Sequence, residues 1–230
     1  MAIDDVYSKI LHHMDGLDAS TTFTDESGKT WTAYGTAQID DAAYKFGQSG
    51  IFDGVGAWID FDPVVSGFFP PTPDFTMDCW VKRNTINTVQ NVCGQSNNTG
   101  GSGVHIIRFL ANNTIMAVYI NNTQDTYYLA TSTGTIVDSN WHHLAVVRNS
   151  LSLKLYIDGI NDGIRDVTGV TLYDSPDKFA IGRQGEYNAN YFDGWVDEFR
   201  WSKIARWSTT FTPPLQAYGE EVKKGSAIII

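Results

Sequence analysis

The sequence is short of helix. Nowhere in its 230 residues do apolar positions recur at helical spacing over several turns. That excludes helical bundles and folds built on βαβ crossovers. Only KIARWS (Lys203–Ser208) reads as one helical turn, and DVYSKILHHM (Asp5–Met14) stays open between helix and strand. Cysteine is scarce: Cys79 and Cys93 cannot staple a chain of this length, and both are expected as buried thiols. No apolar run nears the ~20 residues of a membrane-spanning helix. Positive charge is low, with 16 basic against 26 acidic residues and a net charge of −10. Such a field repels nucleic-acid phosphates and anionic lipid, so neither is expected as a partner, and it suits a bound cation. The opening MAIDDVYSKI has neither a basic n-region nor an apolar core, so no signal peptide is expected.

What is present is strand and turn. FTMDCWVKR (Phe75–Arg83), WHHLAVVRN (Trp141–Asn149) and SLKLYID (Ser152–Asp158) alternate with a period of two. GVHIIRFL, TIMAVYI, DTYYLAT, KFAIGR and YFDGWVDEFRW add further strands. Asp158-Gly159, in YIDGIND, is a two-residue hairpin signal. Asparagine- and glycine-rich clusters separate the runs, and the N-x-T sequons beginning at Asn97, Asn112 and Asn121 are read as polar loop chemistry. More than ten strands without helical crossovers predict an all-β, two-sheet antiparallel β-sandwich of jelly-roll type. The expected division is an arm over 1–9, one domain over 10–218 and a tail over 219–230.

The stretch GWVDEFRW (Gly194–Trp201) sets the functional question, because it places Asp197 and Glu198 inside an aromatic strand. Acids are poor strand residues and costly to bury unpaired. Neighbouring side chains on a strand face apart. Asp197 is therefore expected beside Trp195, Phe199 and Trp201, and Glu198 beside Val196 and Arg200, with which it would form a surface pair. The two cannot then share one task. A glycosidase needs two carboxylates on one face. IDFDP offers Asp60 and Asp62 but no third acid, and Pro63 ends the strand. Adjacent histidines (His12-His13, His142-His143) cannot chelate as units, and His143 is read as a core histidine. No G-x-S-x-G nucleophile motif occurs.

The order ILHHMDG, FDGVGAWIDF, PDFTMDCWVKR, WHHLAVVR, LYIDG, FAIGR, FDGWVDEFRW, ARWSTTFTPP resembles the laminin-G-like jelly roll of the concanavalin A-like lectin/glucanase superfamily over roughly residues 10–218. The ending DEFRW…ARW…FTPP looks like the variant found in bacteriophage virion and tail proteins. The resemblance implies two facing sheets that bind carbohydrate or protein, frequently with a structural calcium. By the same resemblance, Asp197 is expected to hold calcium with the carbonyl of Gly54 and an oxygen of Asp15, Asp18 standing in reserve. The residues themselves leave a second reading open: Asp197 caps a turn or pairs with an arginine such as Arg183. The superfamily's glucanases carry an E-x-D-x-x-E run that is absent here.

The expected function is that of a non-enzymatic bacteriophage structural or adhesion protein, a virion decoration or tail component made in the host cytoplasm. Its expected partners are other virion subunits, further copies of itself, or a host surface glycan; the alternative is a glycoside hydrolase or polysaccharide lyase of the same fold. Aromatics in loops (Phe68, Phe69, Tyr187 and Tyr191) can stack on sugar rings. QGEYNANY (Gln184–Tyr191) has the polar and aromatic mix of a glycan site, so Tyr187, Asn188 and Tyr191 are the candidate sugar contacts. The closing Ile228, Ile229 and Ile230 form an apolar, β-prone run expected to attach the domain to a larger assembly.

Overall fold

The period-two runs become strands because each has one face to bury. The computed structural model describes residues 6–63, 74–96, 104–121, 123–173, 175–186 and 188–219. Its strands, numbered in chain order, form two antiparallel sheets. The eight-stranded sheet runs β13 (Ile160–Asp166), β12 (Ser152–Ile157), β11 (His142–Arg148), β6 (Phe75–Arg83), β15 (Asp193–Ser202), β4 (Ser49–Asp53) and β3 (Gln38–Asp40), with β1 (Ser8–His12) also on β15. The seven-stranded sheet runs β10 (Tyr127–Thr131), β9 (Ile115–Ile120), β8 (Val104–Phe109), β7 (Gln90–Gln95), β14 (Phe179–Ile181), β5 (Trp58–Phe61) and β2 (Thr32–Tyr34). No helix occurs among the described residues: Ser8–His12 is strand, and 203–208 is not helical.

The core lies between the sheets. β6 sends Phe75, Met77, Cys79 and Val81 into it, and Phe52, Phe109, Phe179, Phe192, Phe199 and Trp201 fill the middle. Each such side chain contributes roughly 1.5–3 kcal/mol by leaving water. Both cysteines are free and buried, Cys93 Sγ lying 3.6 Å from Met77 Sδ. The hairpin at Asp158-Gly159 forms as expected, with φ of +50° and +79° in a turn between β12 and β13.

The other face of β6 is also buried, because the segment after β15 folds back across the eight-stranded sheet. Trp207 and Phe211 stack at 3.9 Å and cover Ala145, Val147 and Tyr156. Beneath this strap lies a charged network. Arg200 holds Asp78 with two hydrogen bonds (3.1 and 2.9 Å) and lies 3.9 Å over the Tyr218 ring. His143 Nε2 meets the Tyr218 hydroxyl at 3.1 Å. His143 is fully buried, as the sequence suggested, but it serves this polar network between sheet and strap.

Candidate functional site

β15 breaks the alternation on which the sequence reading of Asp197 and Glu198 relied. Asp197 pairs with Trp80 and Arg200 with Asp78, so three steps on β15 span two on β6. The extra residue is a β-bulge, and Glu198 takes φ +51° within it. The phase reverses there: Val196, Phe199 and Trp201 all enter the core, while Trp195 does not. The bulge also marks a change of partner. Asp193–Val196 lie along β4, and residues 199–202 lie along β1.

Both acids are fully buried and each ties a different segment to β15. Asp197 Oδ2 accepts the amide N–H groups of Lys45 and Phe46, both at 2.8 Å. The cap reading of Asp197 therefore describes its Oδ2, whereas Arg183 is elsewhere, 3.6 Å from Asp60 on the other sheet. Glu198 accepts His13 Nδ1 at 2.8 Å and the Tyr218 amide at 2.8 Å. It is not a surface partner of Arg200, which the bulge turns toward Asp78. Burial pushes the Asp197 carboxyl up to about 8, against the amide hydrogen bonds and with the charges of Glu198 and Asp15 adding to the rise. Burial likewise raises Glu198, and its hydrogen bond raises His13.

Asp15 reaches the same place. Its Oδ1 accepts the Gln48 amide at 2.8 Å, and a Cβ on Gly47 (φ +67°) would lie 2.2 Å from that oxygen. The segment 45–48 is thus shared by Asp15 and Asp197. Gly54 is not there. Its amide bonds to the carbonyl of Phe192, which immediately precedes β15 and is five residues from Asp197, or roughly 16 Å at strand spacing. Asp18 is exposed. Among the described residues no three His, Cys, Asp or Glu side chains gather as a metal cluster.

Gly54 belongs to a second site, made by a tripeptide that occurs twice. Phe52-Asp53-Gly54 and Phe192-Asp193-Gly194 lie antiparallel, with Asp53 opposite Asp193. The phenylalanines enter the core at 6.5 Å from each other, and the aspartates flank a 280 Å³ cavity. Thr85, Gln90, Asn190 and Tyr191 line it with them. Asp53 Oδ1 accepts the amides of Val55, Gly56 and Ala57, and Oδ2 accepts Thr36. Against the burial that pushes it up, these bonds hold Asp53 down to about 2. Asp193 accepts Asn84 at 3.2 Å and the Thr85 hydroxyl.

The aromatic wall continues onto the outer face of the seven-stranded sheet. Tyr191 lies 5.8 Å from Trp58, Trp58 stacks on Tyr34 at 4.6 Å, and the Arg183 guanidinium lies 3.7 Å from the Trp58 ring. Of the candidate sugar contacts, Tyr191 is half-buried at the cavity and Asn188 is exposed, accepting the Tyr191 hydroxyl. Tyr187, Phe68, Phe69, Ile228, Ile229 and Ile230 lie outside the described residues. The sequence reading missed Asp53, Asp193, Thr85 and Trp58. The repeated FDG was the signal that could have found the first two. Asp60 of β5 is buried between Lys178 and Arg183, each at 3.6 Å, and accepts Trp58 Nε1, while Asp62 is exposed.

Comparison with known proteins bears on the fold. The family described as the concanavalin A-like lectin/glucanases superfamily, Laminin_G_3, matches residues 53–209. No curated protein sequence matches the chain. Among solved structures, the binding domain of Paraclostridial Mosquitocidal Protein 1 superposes with a TM-score of 0.67 at 15% identity, covering 86% of this chain and 49% of its own. Domain 4 of AbnA, a GH43 extracellular arabinanase from Geobacillus stearothermophilus described in complex with arabinotriose, gives 0.58 at 18% identity, covering 86% and 94%. The binding domain of Botulinum Neurotoxin DC, described in complex with SialylT, gives 0.63 at 12%, covering 87% and 48%. The chain thus spans about half the length of the toxin domains it matches.

Proposed function

The chain belongs to the concanavalin A-like lectin/glucanase superfamily, and from that premise we propose that it is a non-enzymatic binding domain which holds a glycan in the cavity between its two FDG turns. The observation that carries this reading is the make-up of the cavity. One wall is a tyrosine ring, and beside Val55 and Val89 the lining carries carboxylate, amide and hydroxyl groups, Asp53 fixed by backbone amides and Asp193 by Asn84 and Thr85. Sugar rings present apolar C–H faces to aromatic rings and hydroxyls to such groups. The domains of similar fold described with arabinotriose and with SialylT support the same reading.

Binding is favoured over hydrolysis by the state of the carboxylates. A glycosidase needs one carboxyl raised to act as an acid. At the cavity Asp53 is held down instead, Asp60 lies between two cations, and the two raised carboxyls, Asp197 and Glu198, are fully buried and taken up by neighbouring chain. The test is a glycan array probed with the labelled protein, alongside reducing-sugar release from β-glucan, arabinan and alginate. Binding without release supports the proposal; release of reducing ends overturns it.

Calcium is proposed as a structural ion at Asp197. Asp197 Oδ1 is a buried carboxylate oxygen with no hydrogen-bond partner among the described residues. Calcium completes its six to eight oxygens with backbone carbonyls. The residues that would hold it are Asp197, Asp15, whose carboxylate packs against Gly47, and carbonyls of the 45–48 segment; Gly54 is too distant. The ion would supply positive charge beside Asp197, whose carboxyl is already pushed up by burial and by the charges of Glu198 and Asp15. The setting we propose is a bacteriophage particle, as a decoration or tail subunit contacting other virion subunits or copies of itself. That rests on the DEFRW…ARW…FTPP ending and on Ile228–Ile230 as the attachment.

A further inference from the structure

We propose that the outer face of the seven-stranded sheet carries a second subsite, which takes the acetyl group of an acetylated sugar. This deepens the glycan reading above and rests on it. Strand register lines up Leu129, Val118 and Ile106 in one row across β10, β9 and β8, with Met116 and Arg108 in the next. Their neighbours Ala117, Ile107 and Phe109 enter the core, so these rows face outward. A solvated antiparallel face is normally polar at such positions. Here it is apolar and hollow. The outward positions on the next two strands, Gly94 and Ala180, are the smallest available, and a Cβ on Gly94 would lie 2.9 Å from Ile106 Cγ1.

The hollow measures 300 Å³, at the small end for ligand sites. Ile106 and Val118 line its base, and Leu129 and Tyr127, both more than two-fifths exposed, stand at its rim. Its polar wall is built rather than incidental. Arg108 Nε donates to Asn91 Oδ1 at 2.6 Å, and Nη2 donates to Gln184 Oε1. Gln184 is largely buried in this wall, and with its oxygen taken its NH₂ is the donor it has left for a ligand. A methyl beside a carbonyl matches this pairing of apolar base and amide donor. Arg108 is the one charged residue in the lining among the described residues, so the ammonium of a deacetylated amino sugar is disfavoured there.

The same loop links the two sites. Gln184 opens the segment whose Tyr191 walls the FDG cavity, and the Asn91 amide donates to the Asn190 carbonyl at 2.7 Å.

The test is calorimetric titration of the full chain with paired probes: N-acetylated and de-N-acetylated chito-oligosaccharides, and O-acetylated and saponified xylan. Burying one methyl and making one hydrogen bond predicts roughly a tenfold preference for the acetylated member. Preference in the chitin pair assigns an amide-linked acetyl, and preference in the xylan pair an ester-linked one. Leu129→Ser, at an exposed position, should reduce the preference to less than twofold while leaving Tm and deacetylated binding unchanged. Val118→Thr, which keeps the shape of the base, should act in the same direction. Equal binding of acetylated and deacetylated members, or a preference untouched by both substitutions, overturns the subsite while leaving the FDG cavity intact. Failure to bind any of the four probes, in a protein that binds other glycans on the array, also overturns it. Failure to bind any glycan at all removes the glycan reading with it.

Discussion

Asp197 and Glu198 are consecutive residues on one bulge, yet they hold opposite parts of the molecule. Asp197 receives the amides of Lys45 and Phe46, and Glu198 receives His13 and the amide of Tyr218. One irregularity in β15 thus anchors the first strand, the loop before β4 and the strap after β15. The two acids have separate tasks, but the cause is the bulge and the task of each is to hold neighbouring chain.

If Asp197 completes a calcium site, calcium binds the folded chain alone and stabilises it by mass action. Thermal melting in calcium should exceed melting with chelator by several degrees, and Asp197→Asn should abolish the difference. Coincident curves for the parent protein, with no metal in the purified chain, count against the ion.

Removing the Arg200 guanidinium leaves Asp78 buried without its main cation. Burial pushes the Asp78 carboxyl up, and Arg200, followed by His143, overcomes that and holds it well below its ordinary value. Breaking such a pair costs roughly 3–5 kcal/mol. Arg200→Met should therefore lower Tm by roughly 6–20 °C. A cost under about 1 kcal/mol in urea unfolding, as for an exposed pair, would show that the strap does not seal this network.

The strands were legible because a period of two runs through β6, β11 and β12, and Asp158-Gly159 announced its turn. The bulge was not. Glu198 adopts a positive φ with no glycine to signal it, and one inserted residue moves every later side chain to the other face. That shift turned the expected Glu198–Arg200 surface pair into two unrelated buried contacts. The resemblance points the Gly54 carbonyl to the metal, whereas Gly54 lies in the first of two FDG turns, away from Asp197. The pairing of Asp53 with Asp193 shows why FDG occurs twice: each copy supplies a core phenylalanine and a cavity aspartate.

His142, two strands across the sheet from Val196, offers a pH-dependent contact of its own. Its Nδ1 meets Asp158 at 2.7 Å and its Nε2 meets Asp138 at 3.0 Å, so both bonds need the doubly protonated ring. The Asp158 hydrogen bond, with help from Asp138, raises its pKa above the usual value. Both aspartates are lowered: Asp138 chiefly by its bond to His142, and Asp158 by the same histidine against burial. A raised histidine stabilises fully below its unfolded value near 6.5 and loses that as pH rises through the folded value. The lowered aspartates act in the opposite sense, losing their contribution as pH falls below about 4. The trio should therefore stabilise most between about pH 4 and 6.5. Urea unfolding of the parent against His142→Gln should show a gap that narrows from pH 6 to pH 9. A gap independent of pH across that range would contradict the protonated bridge.

The central claim is that a glycan sits against Tyr191 between the two FDG turns. The most direct measurement is calorimetric titration of the tightest glycan from the array into the parent protein and into Tyr191→Ala, whose ring is half-exposed and separable from the core. Loss of one stacking wall predicts a Kd at least tenfold weaker with Tm unchanged. Equal affinity in the two proteins would place the ligand elsewhere and contradict the account.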